Sequence, residues 1–117
     1  MEILLVDDET SFARSLAEGL EMVGERFHVI TAENGKQAVD ILQTAPFDLI
    51  ITDLNMPVMD GFELLEYIKR EQPGARVMVM SMLNYVDVCS RLKELGVTQF
   101  IEKPVDFYTV LNRILAV

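Results

Sequence analysis

Hydrophobic residues along the chain form five short runs, and after each run apolar residues recur at helical spacing. The runs are too short to be helices and are read as strands over residues 3–6, 27–32, 49–51, 76–80 and 98–102. The helical spacing predicts helices over residues 12–23, 36–44, 84–95 and 107–114, and a further helix over Phe62, Leu65 and Ile68 that ends before Pro73. The chain therefore consists of five consecutive strand–helix units.

Turn and cap residues suggest where the helices begin and end. Thr10 or Ser11 is expected to cap the first helix, and Gly24 and Gly96 are expected to follow the first and fourth helices. The spacing also predicts that Val23 and Ala45 face inwards from the first and second helices.

Alternating strands and helices predict a parallel sheet covered by helices on both faces. Right-handed crossovers favour the strand order 2-1-3-4-5, which is the doubly wound, flavodoxin-like α/β arrangement with five flanking helices. At 117 residues the chain is expected to form one domain over residues 1–117. Ligands of such sheets bind beyond the carboxyl ends of the strands, here between the first and third.

Composition narrows the class of protein. Nineteen acidic against ten basic residues give a net charge of −9, which argues against direct binding of a nucleic-acid backbone. No apolar run reaches the roughly 18 to 20 residues of a membrane span, and the acidic start does not resemble a signal peptide. A single cysteine excludes an intramolecular disulfide. We therefore expect a cytoplasmic protein.

Chemically active side chains follow four of the predicted strands. Asp7 and Asp8 follow the first strand, Asp53 the third, Ser81 the fourth and Lys103 the fifth. These strands are neighbours in the predicted order, so we expect the five groups to converge on one pocket. The alternative is that each residue is an ordinary cap, turn or solvated charge.

The grouping of these residues suggests a particular chemistry. Three carboxylates in contact repel one another unless a cation is present, and oxygen ligands without His or Cys suit Mg²⁺. An aspartate nucleophile, Asp53, with a metal, the Ser81 hydroxyl and Lys103 is a phosphoryl-transfer site.

Four motifs carry a resemblance to a known family. They are VDDE over Val6 to Glu9, D-x-N-M-P-x-M-D-G from Asp53 to Gly61, Ser81 after strand four, and the pair Lys103 and Pro104. In order and spacing, the chain resembles over its whole length the receiver domain of bacterial two-component response regulators.

The resemblance implies that Asp53 accepts a phosphoryl group from the phosphohistidine of a sensor histidine kinase or phosphotransfer protein. Ser81 and Lys103 would then bind phosphoryl oxygens. By the same resemblance Asp8 and Asp53 ligate Mg²⁺ with the backbone carbonyl of Asn55, while Asp7 acts through a bound water. Such a domain assists its own phosphorylation and dephosphorylation but is not an enzyme in its own right.

The resemblance also implies a switch. Phe100 occupies the position of an aromatic residue that rotates inwards as Ser81 shifts, although a core aromatic of strand five fits the sequence equally well. Output would pass through the face of helix four, strand five and helix five, which could also form a homodimer. This domain is expected to contact neither nucleic acid nor membrane, and the bond between Lys103 and Pro104 is expected to be cis.

Two residues of the chain differ from the pattern that is common in this family. Met82 is long where a small residue is common, and Leu83 is apolar where a polar group could position water.

Three alternative functions come from other classes of protein. A flavin-binding protein would need a Ser/Thr/Gly-rich phosphate loop after strand one, where this chain has the acidic segment VDDETSF without Gly. A haloacid-type aspartate phosphatase would need Asp in place of Asn55, and a cap or lid domain. A receiver-like module that works without phosphorylation is disfavoured by the intact acidic set. The sequence fits either a stand-alone receiver or one that precedes an effector domain.

Overall fold

The computed structural model describes residues 1–116, so Val117, the last residue of the predicted domain, lies outside the described residues. The elements follow one another as β1 (Glu2–Val6), α1 (Thr10–Val23), β2 (His28–Ala32), α2 (Gly35–Leu42), β3 (Leu49–Thr52), α3 (Gly61–Glu71), β4 (Arg76–Ser81), α4 (Tyr85–Glu94), β5 (Gln99–Glu102) and α5 (Phe107–Leu115). None of the helices in this described part has the length and apolar character needed to cross a membrane.

The five strands form one parallel sheet in the order β2-β1-β3-β4-β5, which confirms the predicted fold. The winding reverses between β1 and β3, whose carboxyl ends lie side by side because Val6 pairs with Thr52. This register brings the residue that follows each strand to the same edge of the sheet.

The core consists of two apolar layers, one on each face of the sheet, because successive side chains of a strand point to opposite faces. One layer contains Leu4, Ile50 and Val79 with buried residues of α2, α3 and α4. The other contains Ile3, Ile51 and Met80 with buried residues of α1 and α5. The central strands are apolar on both faces for this reason.

The far end of α5 is fastened to the sheet by Arg76, the first residue of β4. Its guanidinium donates to the backbone carbonyls of Arg113, Ile114 and Ala116 at 2.6–2.8 Å. It also donates to the side-chain oxygen of Gln99 on β5 at 2.6 Å. The last carbonyls of a helix lack partners within the helix. The partly buried, positively charged guanidinium of Arg76 supplies donors for them.

Several predicted helix boundaries are wrong. The helix α1 begins at Thr10 itself, with Glu9 at the N-cap position and no side-chain capping bond, and Val23 is 44% exposed. The helix α2 ends at Leu42, which leaves Ala45 exposed beyond it. The prediction for Gly96 holds, since it follows α4 with a left-handed φ of 80°.

Candidate functional site

An acidic cluster lies where β1 and β3 end. The Asp53 N–H donates to the Val6 carbonyl at 3.1 Å, which continues the pairing of β1 with β3 beyond Thr52. Carboxylate oxygens of Asp7, Asp8 and Asp53 consequently lie within 4.8 Å of one another. Asp7 and Asp53 are buried, whereas Asp8 is exposed. The structure therefore brings together the three carboxylates that the sequence analysis singled out.

Lys103 reaches this cluster from β5. Its backbone N–H donates to the Ser81 carbonyl at 2.8 Å, and the peptide bond to Pro104 is cis, as predicted. The Nζ atom donates to Asp7 Oδ2 at 2.7 Å and to Asp53 Oδ2 at 3.0 Å. Only 7% of the Lys103 side chain is exposed, so these ion pairs are shielded from solvent. Lys103 thus offsets part of the charge of the cluster.

Glu9 is a member of the site to which the sequence analysis gave no role. Its Oε1 accepts the third hydrogen bond of Lys103 Nζ at 3.2 Å, and its N–H donates to Asp7 Oδ1 at 2.9 Å. The Nζ atom also lies 5.0 Å from the centre of the Phe12 ring, within range of a cation–π attraction. The indication in the sequence was that Glu9 directly follows the acidic pair and precedes the first helix.

The ionisation of the cluster depends on burial and on these ion pairs. Burial raises the pKa of the Asp7 carboxyl above its ordinary value, although the hydrogen bond from Lys103 opposes this shift. Burial alone would lower the pKa of the Lys103 ammonium. The hydrogen bonds to Asp7 and Asp53 and the attraction of their charges outweigh that effect and raise it. Lys103 therefore stays charged at neutral pH.

The carboxylate of Asp53 is held in one orientation from both sides. Its Oδ1 accepts from the backbone N–H of Leu54 at 2.6 Å and of Asn55 at 3.3 Å, while Oδ2 faces Lys103. Gly61 packs against its backbone so closely that a Cβ there would lie 2.1 Å from the Asp53 carbonyl oxygen. An oriented, buried carboxylate of this kind is suited to act as a nucleophile.

The donor atoms of the cluster fit a hard divalent cation. Asp7, Asp8 and Asp53 offer oxygen alone, and no His or Cys belongs to the group. Asp8 and Asn55 lie at the exposed side of the cluster, where an ion can enter with some of its waters. A set of few carboxylates with open access matches Mg²⁺ better than zinc.

Ser81 and Phe100 lie on the β4–β5 side of the site. Ser81 is fully buried, and its hydroxyl accepts a hydrogen bond from the Leu83 N–H at 3.1 Å. Phe100 is half-buried and packs on the Tyr85 ring, with the ring centres 5.2 Å apart. Met82 is 75% exposed and, with Lys103, lines a cavity of about 330 Å³. Both the Ser81 hydroxyl and the Phe100 ring therefore contact the β4–α4 connection or α4 itself.

Comparison with known proteins identifies similar molecules. A family model described as "Response regulator receiver domain" matches residues 3–115. The transcriptional regulatory protein GlrR of Escherichia coli is 36% identical over 104 residues, which are 89% of this chain and 23% of that protein. The chain thus spans about a quarter of the length of this curated relative.

Solved structures agree with the sequence relatives. A CheY-like response regulator receiver domain protein from Methanospirillum hungatei superposes with a TM-score of 0.89 at 27% identity, over 97% of this chain and 89% of that one. A response regulator protein from Burkholderia pseudomallei, solved with a phosphorylated aspartic acid, calcium ion and citrate, gives a TM-score of 0.87 at 26% identity, over 98% and 66% of the two chains.

Proposed function

The chain belongs to the response regulator receiver family, and from this premise we propose that Asp53 is the residue that accepts the phosphoryl group. Receiver domains of this family act in phosphorylation-based two-component signalling. The observation that carries the assignment is the orientation of Asp53, a buried carboxylate held between two backbone N–H groups and Lys103. We further propose that residues 1–117 form one such domain, which is a phosphoacceptor and not an enzyme in its own right.

Phosphoryl transfer to Asp53 is a displacement at phosphorus. A carboxylate oxygen of Asp53 forms the new P–O bond while the P–N bond of the donor phosphohistidine breaks, and the departing imidazole nitrogen takes up a proton. Lys103 already binds an Asp53 oxygen, so a short movement of its Nζ atom would let it pair with a phosphoryl oxygen instead. Ser81, at the end of β4, is proposed to supply a hydroxyl to another of these oxygens.

A metal ion is part of this proposal. Asp8 and Asp53, with the backbone carbonyl of Asn55, would hold Mg²⁺, and Asp7 would act through a bound water. The ion would neutralise charge on the phosphoryl oxygens during transfer. The oxygen-only donor set supports this assignment, as does the calcium ion named with the Burkholderia pseudomallei structure.

The donor is proposed to be a sensor histidine kinase or a phosphotransfer protein in the cytoplasm, and the output face to be α4, β5 and α5. Exposed apolar side chains on this face, Val86 at 78% and Tyr108 at 72%, support binding of a partner or a second copy there. Phe100, which packs against Tyr85 of α4, would couple the site to this face. The net charge of −9 disfavours direct contact with nucleic acid.

Labelling with acetyl phosphate in Mg²⁺ tests the acceptor. Wild type should gain one phosphoryl group, visible by intact mass, and Asp53→Asn should gain none. Asp60→Asn is the matched control, because Asp60 caps α3 through its side chain and Asn preserves such a cap. Equal labelling of Asp53→Asn and wild type would refute the assignment.

The same labelled protein tests the output face. Phosphorylation should change the amide exchange of residues 84–112, which span α4, β5 and most of α5. Unchanged exchange over these residues, together with changes elsewhere, would exclude this face as the output.

A further inference from the structure

The first turn of α2 contacts the loop between β3 and α3. The Gly35 N–H, which has no partner within its own helix, donates to the Met59 carbonyl at 3.2 Å. Gly35 is buried, and a Cβ on it would lie 2.7 Å from Met59 Cγ and 2.8 Å from the Met59 carbonyl oxygen. The second of these atoms is backbone and cannot turn aside like the end of a side chain. Close packing of the loop on α2 therefore requires a residue without a Cβ at position 35.

The loop that Gly35 supports contains an unfavourable turn. Val58 has a φ of 71°, a left-handed conformation that β-branched residues rarely adopt. The Met59 N–H closes this turn by donating to the Pro57 carbonyl at 2.8 Å. Val58 is 76% exposed, so packing of its own side chain does not stabilise this conformation. A strained turn persists only where its surroundings impose it.

The turn is held by contacts on either side of it. Before it, the Leu54 carbonyl accepts from the Gly61 N–H at 2.9 Å, which ties the start of the loop to the first residue of α3. After it, Met59 is tied to Gly35. Asn55 lies between these contacts, two residues after the acceptor Asp53. Displacement of Met59 would therefore move the segment that carries the proposed carbonyl ligand of Mg²⁺.

We propose that Gly35 is a positioning residue for the metal site, acting through Met59 to hold the β3–α3 loop in the geometry that binds Mg²⁺. Gly35 lies on α2 and contributes no ligand atom. Its role rests on the proposed function, since it presupposes Mg²⁺ at Asp8, Asp53 and Asn55. Replacement of residues that support metal ligands from behind typically weakens metal binding by about 10- to 100-fold.

Three glycine-to-alanine variants isolate the effect. Gly35→Ala introduces the clash with Met59. Gly19→Ala is the crowded control, because its Cβ would lie 2.7 Å from the Phe107 ring, and α5 is not part of the loop. Gly74→Ala is the open control, because no atom lies within 4 Å of its Cβ. None of the three has a left-handed φ, so Ala is not forced into a left-handed conformation at any of them.

Calorimetric titration with Mg²⁺ should give about ten-fold weaker binding for Gly35→Ala and unchanged binding for both controls. Amide resonances of residues 55–60 should shift in Gly35→Ala before any metal is added. Adding Val58→Gly, which relieves the turn, should restore most of the lost affinity. A purely structural role for Gly35 would lower the free energy of unfolding of Gly35→Ala and leave its Mg²⁺ affinity unchanged.

Equal Mg²⁺ affinity of Gly35→Ala and wild type would overturn this inference and leave the proposed function intact. Failure of wild type itself to bind Mg²⁺ would overturn the proposed metal site and this inference with it. If Gly35→Ala does not fold, Asn34→Ala decides. Asn34 caps α2 by accepting from the Gln37 N–H, so its loss should loosen the first turn and weaken Mg²⁺ binding about three-fold. Unchanged binding in that variant would also refute the inference.

Discussion

The helices α3 and α4 each follow a strand with a site residue at or directly after its carboxyl end, yet they are held very differently. The helix α3 buries Gly61, Leu64, Leu65 and Ile68, whereas Leu92 is the one fully buried residue of α4. The α3 side carries the proposed acceptor, Asp53, and the α4 side carries the proposed response. A helix with little buried apolar surface opens at a lower free energy than the rest of the fold. The comparison thus separates a fixed side of the site from an adjustable one.

The connections that precede the two helices differ in the same way. Besides the side-chain oxygens of Asp53 and Asp60, two backbone-to-backbone bonds hold the β3–α3 loop, from Gly61 to Leu54 and from Gly35 to Met59. Side-chain oxygens hold the β4–α4 connection. They belong to Ser81, Asn84 and Glu102, which accept from the N–H groups of Leu83, Val86 and Tyr85, respectively. Side-chain contacts can exchange partners without moving the sheet. A phosphoryl group that attracts the Ser81 hydroxyl would therefore disturb α4 before it disturbed α3.

We expect the largest loss of folding stability at Gly61, where the fixed side of the site is most closely packed. Gly61→Ala should lower the free energy of unfolding by about 3 kcal/mol or more, because the new Cβ would meet the Asp53 backbone. Gly96→Ala on the adjustable side should cost roughly 1 kcal/mol, since its φ is 80° but the space around it is open. Urea denaturation measures both values. Similar losses in the two variants would contradict the proposed difference in rigidity.

Truncation of a buried leucine on each helix should distinguish global from local stability. Leu65→Ala on α3 should lower the free energy of unfolding by about 3 kcal/mol, with exchange accelerated throughout the core. Leu92→Ala on α4 should lower it less, by about 2 kcal/mol, because no other residue of α4 is buried and we expect this helix to open by itself. Its amide exchange should rise chiefly within residues 85–94. If amide exchange accelerated throughout the core in both variants, the proposed difference between α3 and α4 would be wrong.

We expect the smallest change in stability when the contact between β5 and the start of α4 is removed. Glu102→Ala removes the oxygen that accepts from the Tyr85 N–H at 3.2 Å, which should cost α4 about 1 kcal/mol of local stability. Exchange of the Tyr85 and Val86 amides should then quicken about five-fold. Glu102→Gln keeps an accepting oxygen and serves as the control. No difference between Ala and Gln would mean that this contact does not hold α4.

The order of strands and the meeting of the acidic residues could be predicted because both depend on periodic patterns along the chain. Asp7 and Asp53 follow β1 and β3, which pair in parallel, and Lys103 follows β5 at the same edge of the sheet. The start of α1 could not be predicted in this way. The Glu9 N–H is taken by the carboxylate of Asp7, and the helix begins one residue later without the expected Thr or Ser cap.

The residues that support the site, Gly35 and Val58, could not be recognised from the sequence either. Gly35 resembles any glycine at a helix start, and only the packing shows that Met59 fills the space of its missing side chain. Val58 gives no sign of a left-handed φ, because its conformation comes from contacts on either side of it. Local propensity cannot report a geometry that is imposed from outside the segment.

Arg76 determines which end of α5 is tied to the sheet by hydrogen bonds. Its bonds to the carbonyls of Arg113, Ile114 and Ala116 fix the carboxyl end of that helix against β4 and β5. At about 1.5 Å per residue, the nine residues of α5 form a rod of roughly 13 Å, and any tilt of this rod would turn about the fixed end. A small tilt would displace Phe107 far more than Ile114. The amino end of the rod, four residues from Lys103, is therefore where movement would be largest.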